Sequence, residues 1–235
     1  MTLSGDRLVD QLQGHPLDNP TWRALSGPQA HFAERNDRAA RFHGDVSPFA
    51  AVADPSDAGA WADLAALIGS ERAVLGGFRG TPPADWVVDF QLDGVQLEGS
   101  AVESADDPEA VVLGPSDVPE MLDLVARTDP GPFRPRTVEL GTYLGIRRDG
   151  ALVAMAGERM RVPGWTEVSA VCTDPEFRGQ GLAGRLVRAV TAVIRRRGEE
   201  PYLHAAARNT GAIRVYERLG FRLRTETRFM AVHHP

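Results

Sequence analysis

A glycine-rich turn between a strand-like and a helix-like segment is the feature that most constrains this chain. Residues Trp165–Thr173 have the composition of a mostly buried strand, which Asp174-Pro175 ends. Residues Leu182–Arg197 repeat apolar side chains at helical spacing, and Arg178-Gly179-Gln180-Gly181 lies between the two segments. The first amides of a helix have no intrahelical partner and lie at the positive end of its dipole. Because glycine lets a ligand approach the backbone, the turn is predicted to bind an anion such as a phosphate.

The spacing within this turn excludes the two best-known nucleotide fingerprints. A Walker loop ends in Gly-Lys-Ser/Thr, but all 26 basic residues of this chain are arginine. The dinucleotide fingerprint requires a glycine where Arg178 stands. The absence of lysine also excludes Schiff-base chemistry by an internal lysine.

Composition narrows the function classes further. The chain has 235 residues, 43% hydrophobic residues and a net charge of −6, which permits a sizeable core and argues against nucleic acid as a partner. No apolar run approaches the roughly 20 residues of a membrane span, and residues 1–10 have no apolar signal core. The single cysteine, Cys172, and the scattered His15, His31 and His43 predict no disulfide and no metal site, and the reducing cytoplasm is the expected compartment.

The first half of the chain carries no motif that indicates chemistry. Residues Leu3–Phe42 contain several helix-like stretches, whose apolar stripe includes Leu8 and Leu12. A strand, a helix and two further strands are predicted after them, at residues 46–52, 57–68, 73–77 and 86–97. The acidic, small-residue stretch Gly99–Glu109 is predicted to be a linker. We therefore place a domain boundary near residue 105, dividing residues 1–105 from 106–235.

The second half predicts the order β-α-β-β-β-α-β-α-β, with two parallel crossover connections in its last part. Asp149-Gly150 between two strand-like runs, 138–147 and 151–162, predicts a β-hairpin. Asn209 is predicted to cap a helix over Thr210–Leu219, which Gly220 ends. The expected architecture is a mixed α/β (α+β) sheet with helices on both faces.

Residues 165–221 resemble the GCN5-related N-acetyltransferases (GNAT superfamily), and within them the FR47-like group. The matching text is Glu167-Val-Ser-Ala-Val-Cys-Thr-Asp-Pro-Glu-Phe-Arg-Gly-Gln-Gly-Leu-Ala183, then Asn209, then Arg214-Val-Tyr-Glu-Arg-Leu-Gly-Phe221. The resemblance covers about residues 108–235 and implies the GNAT acyl-CoA N-acyltransferase fold. The element order of the first half allows a degenerate second unit of the same kind.

The resemblance implies an enzyme with acetyl-CoA as co-substrate, an amine as acceptor, direct acyl transfer and no metal. Tyr216 corresponds to the tyrosine that protonates the departing thiolate in many members. Glu167 and Glu158 are the two candidates for the base, and either could instead bind the substrate ammonium or act through water. By strand alternation, Glu167 shares a face with Ser169 and Val171. The residues expected to bind the coenzyme are Val171, Cys172, Thr173, Arg178, Gly179, Gln180, Gly181, Leu182, Ala183, Gly184, Asn209 and Tyr216.

Several alternatives remain open from the sequence. The acceptor is a small amine, an amino acid or a peptide N-terminus. The chain could also be a non-catalytic acyl-CoA-binding module, or an acyltransferase that uses a longer acyl donor, as the glycine acyltransferases do. A monomer and a homodimer are equally compatible with the sequence.

Overall fold

The computed structural model describes residues 14–235, so the helix-like start of the chain, with Leu8 and Leu12, lies outside the described residues. This part contains eleven strands and five α-helices. The strands are β1 Ala33–Arg35, β2 Ala39–Phe42, β3 Phe49–Val52, β4 Ala73–Phe78, β5 Val87–Glu98, β6 Val111–Leu113, β7 Tyr143–Arg148, β8 Ala151–Val162, β9 Trp165–Thr173, β10 Glu200–Ala206 and β11 Arg222–His233. The helices are α1 Pro20–Leu25, α2 Ala58–Ile68, α3 Val118–Thr128, α4 Leu182–Arg196 and α5 Thr210–Leu219.

The strands form one mixed sheet in the order β1-β2-β3-β4-β11-β5-β10-β9-β8-β7-β6. Two neighbouring pairs are parallel, β3–β4 and β9–β10, and their connections contain helices α2 and α4. The other pairs are antiparallel. This architecture confirms the predicted mixed α/β class.

The hairpin turn, the helix cap and the helix end that the sequence of the second half predicts are all present in the structure. Asp149 (φ 49°) and Gly150 (φ 85°) form the turn of the β7–β8 hairpin. The side chain of Asn209 accepts a hydrogen bond from the backbone N–H of Ala212 and so caps α5. Gly220, with φ of 106°, ends that helix, because only glycine adopts this conformation without strain.

Strand β5 lies between β10 and β11, although it precedes both in sequence by about a hundred residues. Its residues 94–98 pair with Tyr202–Ala206, and its full length pairs with β11. The crossover from β10 to β11 therefore joins parallel strands that are not neighbours. The boundary near residue 105 stays a prediction, but the second half of the chain receives a central strand from the first.

Helices cover both faces of the sheet, and each covers its own buried cluster. Helix α4 packs Leu186 and Val190 against Val168 of β9 on one face. On the other face, α3 packs against β8 and β9 through Met121 and Leu124. A third cluster joins the two halves of the chain, because it combines side chains from both; its members include Leu17, Leu25, Phe42, Met160, Val162 and Tyr202.

Two expected elements differ from the structure. The helix-like stretch that was predicted up to Phe42 ends in strands β1 and β2, since Ala39, Ala40 and Phe42 are buried where β2 pairs with β3. Tertiary burial thus overrides the helix propensity of Ala and Arg. The strand predicted from Val138 begins with a 3₁₀ helix, Thr137–Leu140. There the Thr137 hydroxyl accepts from the Arg134 N–H and donates to the Val46 carbonyl, which turns the chain.

Candidate active site

The parallel strands β9 and β10 separate partway along their length. Their pairing runs from Trp165↔Glu200 to Glu167↔Tyr202 and then stops. Beyond this point β9 pairs only with β8, and β10 pairs only with β5. A gap therefore opens inside the sheet between the carboxyl-terminal halves of β9 and β10.

A β-bulge in β9 lies at the start of this gap. Gly157 pairs with Ser169 and Met155 with Cys172, so Ala170 and Val171 together oppose the single residue Ala156. Ala170 has φ of 52°, which is rare for a residue with a side chain. The extra residue of a bulge is left outside the ladder, so a backbone amide here is free to face the gap.

The bulge also reverses which face of the sheet each side chain occupies. Val168 packs in the cluster of α4, whereas Ala170 and Cys172 pack in the cluster of α3 on the opposite face. Val171 packs against the α4 side. The expectation that Glu167 shares a face with Val171 is therefore wrong, because simple alternation does not continue through a bulge.

A cavity of about 200 Å³ lies in the gap between β9 and α5. Seven of the residues expected at the coenzyme line it, together with the end of α3 and the loop that follows. The lining residues are Thr128, Asp129, Pro130, Val171, Cys172, Thr173, Arg178, Ala183, Asn209, Ala212, Val215 and Tyr216. The Thr173 hydroxyl oxygen is buried here and has no hydrogen-bond partner among the described residues.

The glycine turn leads from this cavity into α4. Gly179 and Gly181 have φ of 79° and 76°, and a Cβ added to either would meet no atom within 4 Å. No side chain caps the helix that starts at Leu182. The space before the first amides of α4 is thus open, as an anion site requires. Arg178 donates from Nε to the Thr173 carbonyl at 3.2 Å, so its side chain braces the end of the strand.

Tyr216 projects from α5 into the cavity. Burial, and to a smaller extent the neighbouring Cys172, raise the pKa of Tyr216 to about 12. The phenol therefore keeps its proton at neutral pH. Burial also raises the pKa of the Cys172 thiol to about 11, which leaves no appreciable thiolate and agrees with the interpretation of Cys172 as a buried apolar side chain.

Glu167 is completely buried and ion-paired. Arg159 donates to both of its carboxylate oxygens, at 2.8 and 2.6 Å, and His204 Nδ1 lies 2.7 Å from Oε1. Burial alone would favour the neutral acid, but Arg159 and His204 outweigh it and lower the pKa of Glu167 to about 2. The carboxylate stays charged and held by its partners.

Glu158 occupies the opposite face of the sheet. It stands across from Val168, and its Oε1 accepts from Nη1 of Arg197 at 3.0 Å. Arg197 follows the carboxyl-terminal end of α4, whereas the glycine turn precedes the other end of that helix. Glu158 is thus tied to the end of α4 that is remote from the turn, and it does not line the cavity.

Three partners in this region were not singled out from the sequence: Arg159, His204 and Gln96. They carry no motif and come from three different strands. Only the periodicity of β10, which places His204 on the same face as Tyr202, could have indicated that the imidazole lies beside this cluster.

Comparisons with known proteins agree with this geometry. The FR47-like protein family model matches residues 143–230. The crystal structure of a putative acetyltransferase from the GNAT family of Novosphingobium aromaticivorans superimposes with a TM-score of 0.86 and 43% identity, over 94% of this chain and 100% of that one.

Two curated relatives match over shorter stretches. N-alpha-acetyltransferase RimI of Mycobacterium tuberculosis is 35% identical over 82 residues, which are 34% of this chain and 51% of RimI. Mycothiol acetyltransferase of Thermobispora bispora is 46% identical over 56 residues, 23% of this chain and 19% of that protein. The matches thus span about half the length of RimI and about a fifth of the length of mycothiol acetyltransferase.

Within residues 14–235, no helix is long and apolar enough to span a membrane, and no group of His, Cys, Asp or Glu side chains could hold a metal ion.

The match along the whole of the Novosphingobium protein confirms the predicted family. The chain belongs to the GCN5-related N-acetyltransferase family.

Proposed function

We propose that this protein transfers an acetyl group from acetyl-CoA directly to a primary amine. The observation that carries the proposal is the cavity between β9 and α5, beside the point where β9 and β10 separate, with the open glycine turn next to it and the protonated phenol of Tyr216 in its wall. A thioester that enters the split would lie between these two groups.

The coenzyme would be held by backbone amides and by side chains that line the cavity. The amides of residues 179–184 would bind its diphosphate, since no side chain caps α4. The edge of β9 at Val171–Thr173 would accept the pantetheine amides as an added strand would, because β10 has left this edge. The free Thr173 hydroxyl and the Asn209 side chain would complete the contacts.

The chemical step needs one new bond, one broken bond and two proton movements. The neutral amine attacks the thioester carbonyl carbon, and a tetrahedral oxyanion forms, which the amide freed by the bulge at Ala170 and Val171 would stabilise. The carbon–sulfur bond then breaks, and the proton that the nitrogen loses would pass to solvent water. Tyr216 would donate its proton to the sulfur as the carbon–sulfur bond breaks, because a phenol with a pKa of about 12 is still protonated at that point. The phenolate is a stronger base than a thiolate of pKa roughly 8.5, so it would regain a proton from solvent.

The base roles of Glu167 and Glu158 stay predictions, and their contacts favour other functions. Glu167 is paired with Arg159 and His204, and Glu158 is paired with Arg197 at the end of α4 that is remote from the glycine turn. We infer that the enzyme binds the neutral fraction of the amine. In that case kcat/KM rises tenfold per pH unit below the pKa of the acceptor amine and shifts with that pKa between acceptors.

An activity assay with acetyl-CoA and a panel of amines, including amino acids and short peptides, tests the proposal. Release of coenzyme A with an acetylated product is the expected result. The names of the curated relatives, N-alpha-acetyltransferase and mycothiol acetyltransferase, make peptides with a free α-amine and amines related to mycothiol useful members of the panel. Tight acetyl-CoA binding with no turnover on any amine would favour a non-catalytic binding module. A preference for longer acyl donors would favour the glycine acyltransferase alternative.

We also propose that the first half is a degenerate unit of the same fold. Strands β3 and β4 are parallel, are joined through α2, and pair only at Phe49↔Val74 and Ala50↔Leu75, as β9 and β10 do at their start. The segment that contains Asn19 and Thr21 reaches into their split and ties the two strands together, beside a cavity of about 480 Å³ that both strands line. Asn19 Nδ2 donates to the Val52 carbonyl at 2.8 Å, and the Thr21 hydroxyl donates to the Gly76 carbonyl at 3.3 Å.

The amides that precede α2 are also occupied. The Asp57 carboxylate accepts from the Gly59 N–H, and the Asp54 carboxylate accepts from the Ser56 N–H. Negative charges thus stand where a diphosphate would need free amides. Titration calorimetry should give one acetyl-CoA per chain, and a second site of comparable affinity would contradict the proposal.

A further inference from the structure

A buried hydrogen bond joins β9 to β10 where their backbone pairing stops. Glu167 is the last residue of β9 that pairs with β10. Tyr202 is the last residue of β10 that pairs with β9, and His204 lies two positions after it. The two side chains are at most 1% exposed, and His204 Nδ1 lies 2.7 Å from Glu167 Oε1. This contact spans the mouth of the split that holds the candidate active site.

The hydrogen-bond partners of His204 determine its tautomer. Arg224 can only donate, and its Nη1 lies 2.8 Å from Gln96 Oε1, so the amide orientation of Gln96 is determined. Gln96 Nε2 then donates to the Leu17 carbonyl at 2.8 Å and to His204 Nε2 at 3.1 Å. His204 Nε2 is therefore unprotonated, and its Nδ1 carries the proton that is donated to Glu167.

The imidazole has no room to rotate out of this arrangement. A Cβ on Gly77 would lie 2.7 Å from His204 Nε2, so only a glycine leaves space for the ring there. The rings of Tyr202 and Phe229 contact it edge-on at centroid distances of 5.8 and 6.0 Å. With both ring nitrogens bonded, the side chain only 1% exposed and no His204 atom in the cavity wall, His204 cannot act as a base for a substrate in the cavity.

We propose that His204 is a positioning residue for the acetyl transfer. Its Nδ1–H holds Glu167 and thereby sets the separation of β9 and β10 at the split. The bulge at Ala170 lies three residues beyond Glu167 on the same strand, so this separation determines where the bulge amide meets the thioester oxygen. The inference rests on the proposed function, because it assigns His204 a role in that reaction.

Three variants test the role. His204→Leu removes the donor, and we expect kcat to fall about tenfold or more while the Kd of acetyl-CoA changes less than about twofold, because the diphosphate turn is unaffected. His204→Asn keeps an N–H near the Nδ1 position and should recover most of kcat. His233→Leu is the matched control, since His233 forms a similar pair with Asp89 at 2.8 Å on the surface, and it should retain the wild-type kcat.

Nitrogen-15 NMR of the wild-type protein checks the tautomer without any turnover, and protonated Nδ1 with bare Nε2 is the expected result. A proton on Nε2 would overturn the inference, and so would equal kcat in His204→Leu and wild type. A kcat of His204→Asn as low as that of His204→Leu would also overturn it, provided that His204→Asn melts at the wild-type temperature. A wild type that acetylates no amine would instead overturn the proposed function itself.

Discussion

A single methyl group on Gly181 should separate coenzyme binding from folding. Gly181 has φ of 76° and precedes α4, while Gly198 has the same φ of 76° and follows the other end of that helix. At both positions an added Cβ would meet no protein atom within 4 Å. Gly181→Ala and Gly198→Ala are therefore matched in backbone strain, and only the first places a methyl group in the proposed diphosphate site.

The magnitudes follow from the strain and from the lost contacts. A side chain in the left-handed region costs roughly 1–2 kcal/mol. For a chain of this size that lowers Tm by about 2–8 °C, equally in both variants. Losing one amide–phosphate hydrogen bond costs about 1.5–3 kcal/mol. The Kd of acetyl-CoA should therefore rise roughly 10- to 150-fold in Gly181→Ala alone.

Titration calorimetry with acetyl-CoA gives the two values of Kd, and thermal melts in the absence of coenzyme give the strain. Wild-type affinity in Gly181→Ala would refute the assignment of the diphosphate to this turn. Equal weakening in both variants would show that the loss comes from general strain in α4 and would refute the reasoning as well.

Other predictions address the acid, the buried carboxylate and the interdependence of the halves. Tyr216→Phe should lower kcat about tenfold or more at nearly constant Kd for acetyl-CoA, and unchanged steady-state kinetics would remove Tyr216 from the acid role. Because the pKa of Glu167 is lowered to about 2, its ionised form stabilises the fold above the unfolded pKa of roughly 4.3, and this contribution is lost as pH falls towards 2. Urea denaturation at successive pH values should show that slope in wild type and not in Glu167→Gln; identical slopes would contradict the pairing with Arg159. Residues 106–235 expressed alone should show no cooperative melting, because β5 is missing between β10 and β11; a cooperatively folded monomer would refute this expectation.

The parts of the site that depend on neighbours in sequence were predictable. The turn before α4, the Asn209 cap of α5 and the Asp149-Gly150 hairpin each follow from the backbone preferences of a few consecutive residues. The strand, turn and helix periodicities also predicted the mixed sheet and its helices on both faces. The sequence therefore determined the element types in the second half, and with them the location of the open glycine turn before α4.

The tertiary structure alone decided the environment of the site. The sequence around Glu167 does not indicate that Arg159 and His204 enclose its carboxylate. The sequence of β9 likewise does not predict the bulge at Ala170, which reverses the face of the sheet that the following side chains occupy. The insertion of β5 between β10 and β11 likewise joins segments about a hundred residues apart. Such contacts are selected by which pairing buries the most apolar surface while it satisfies the backbone, and that competition involves the whole chain.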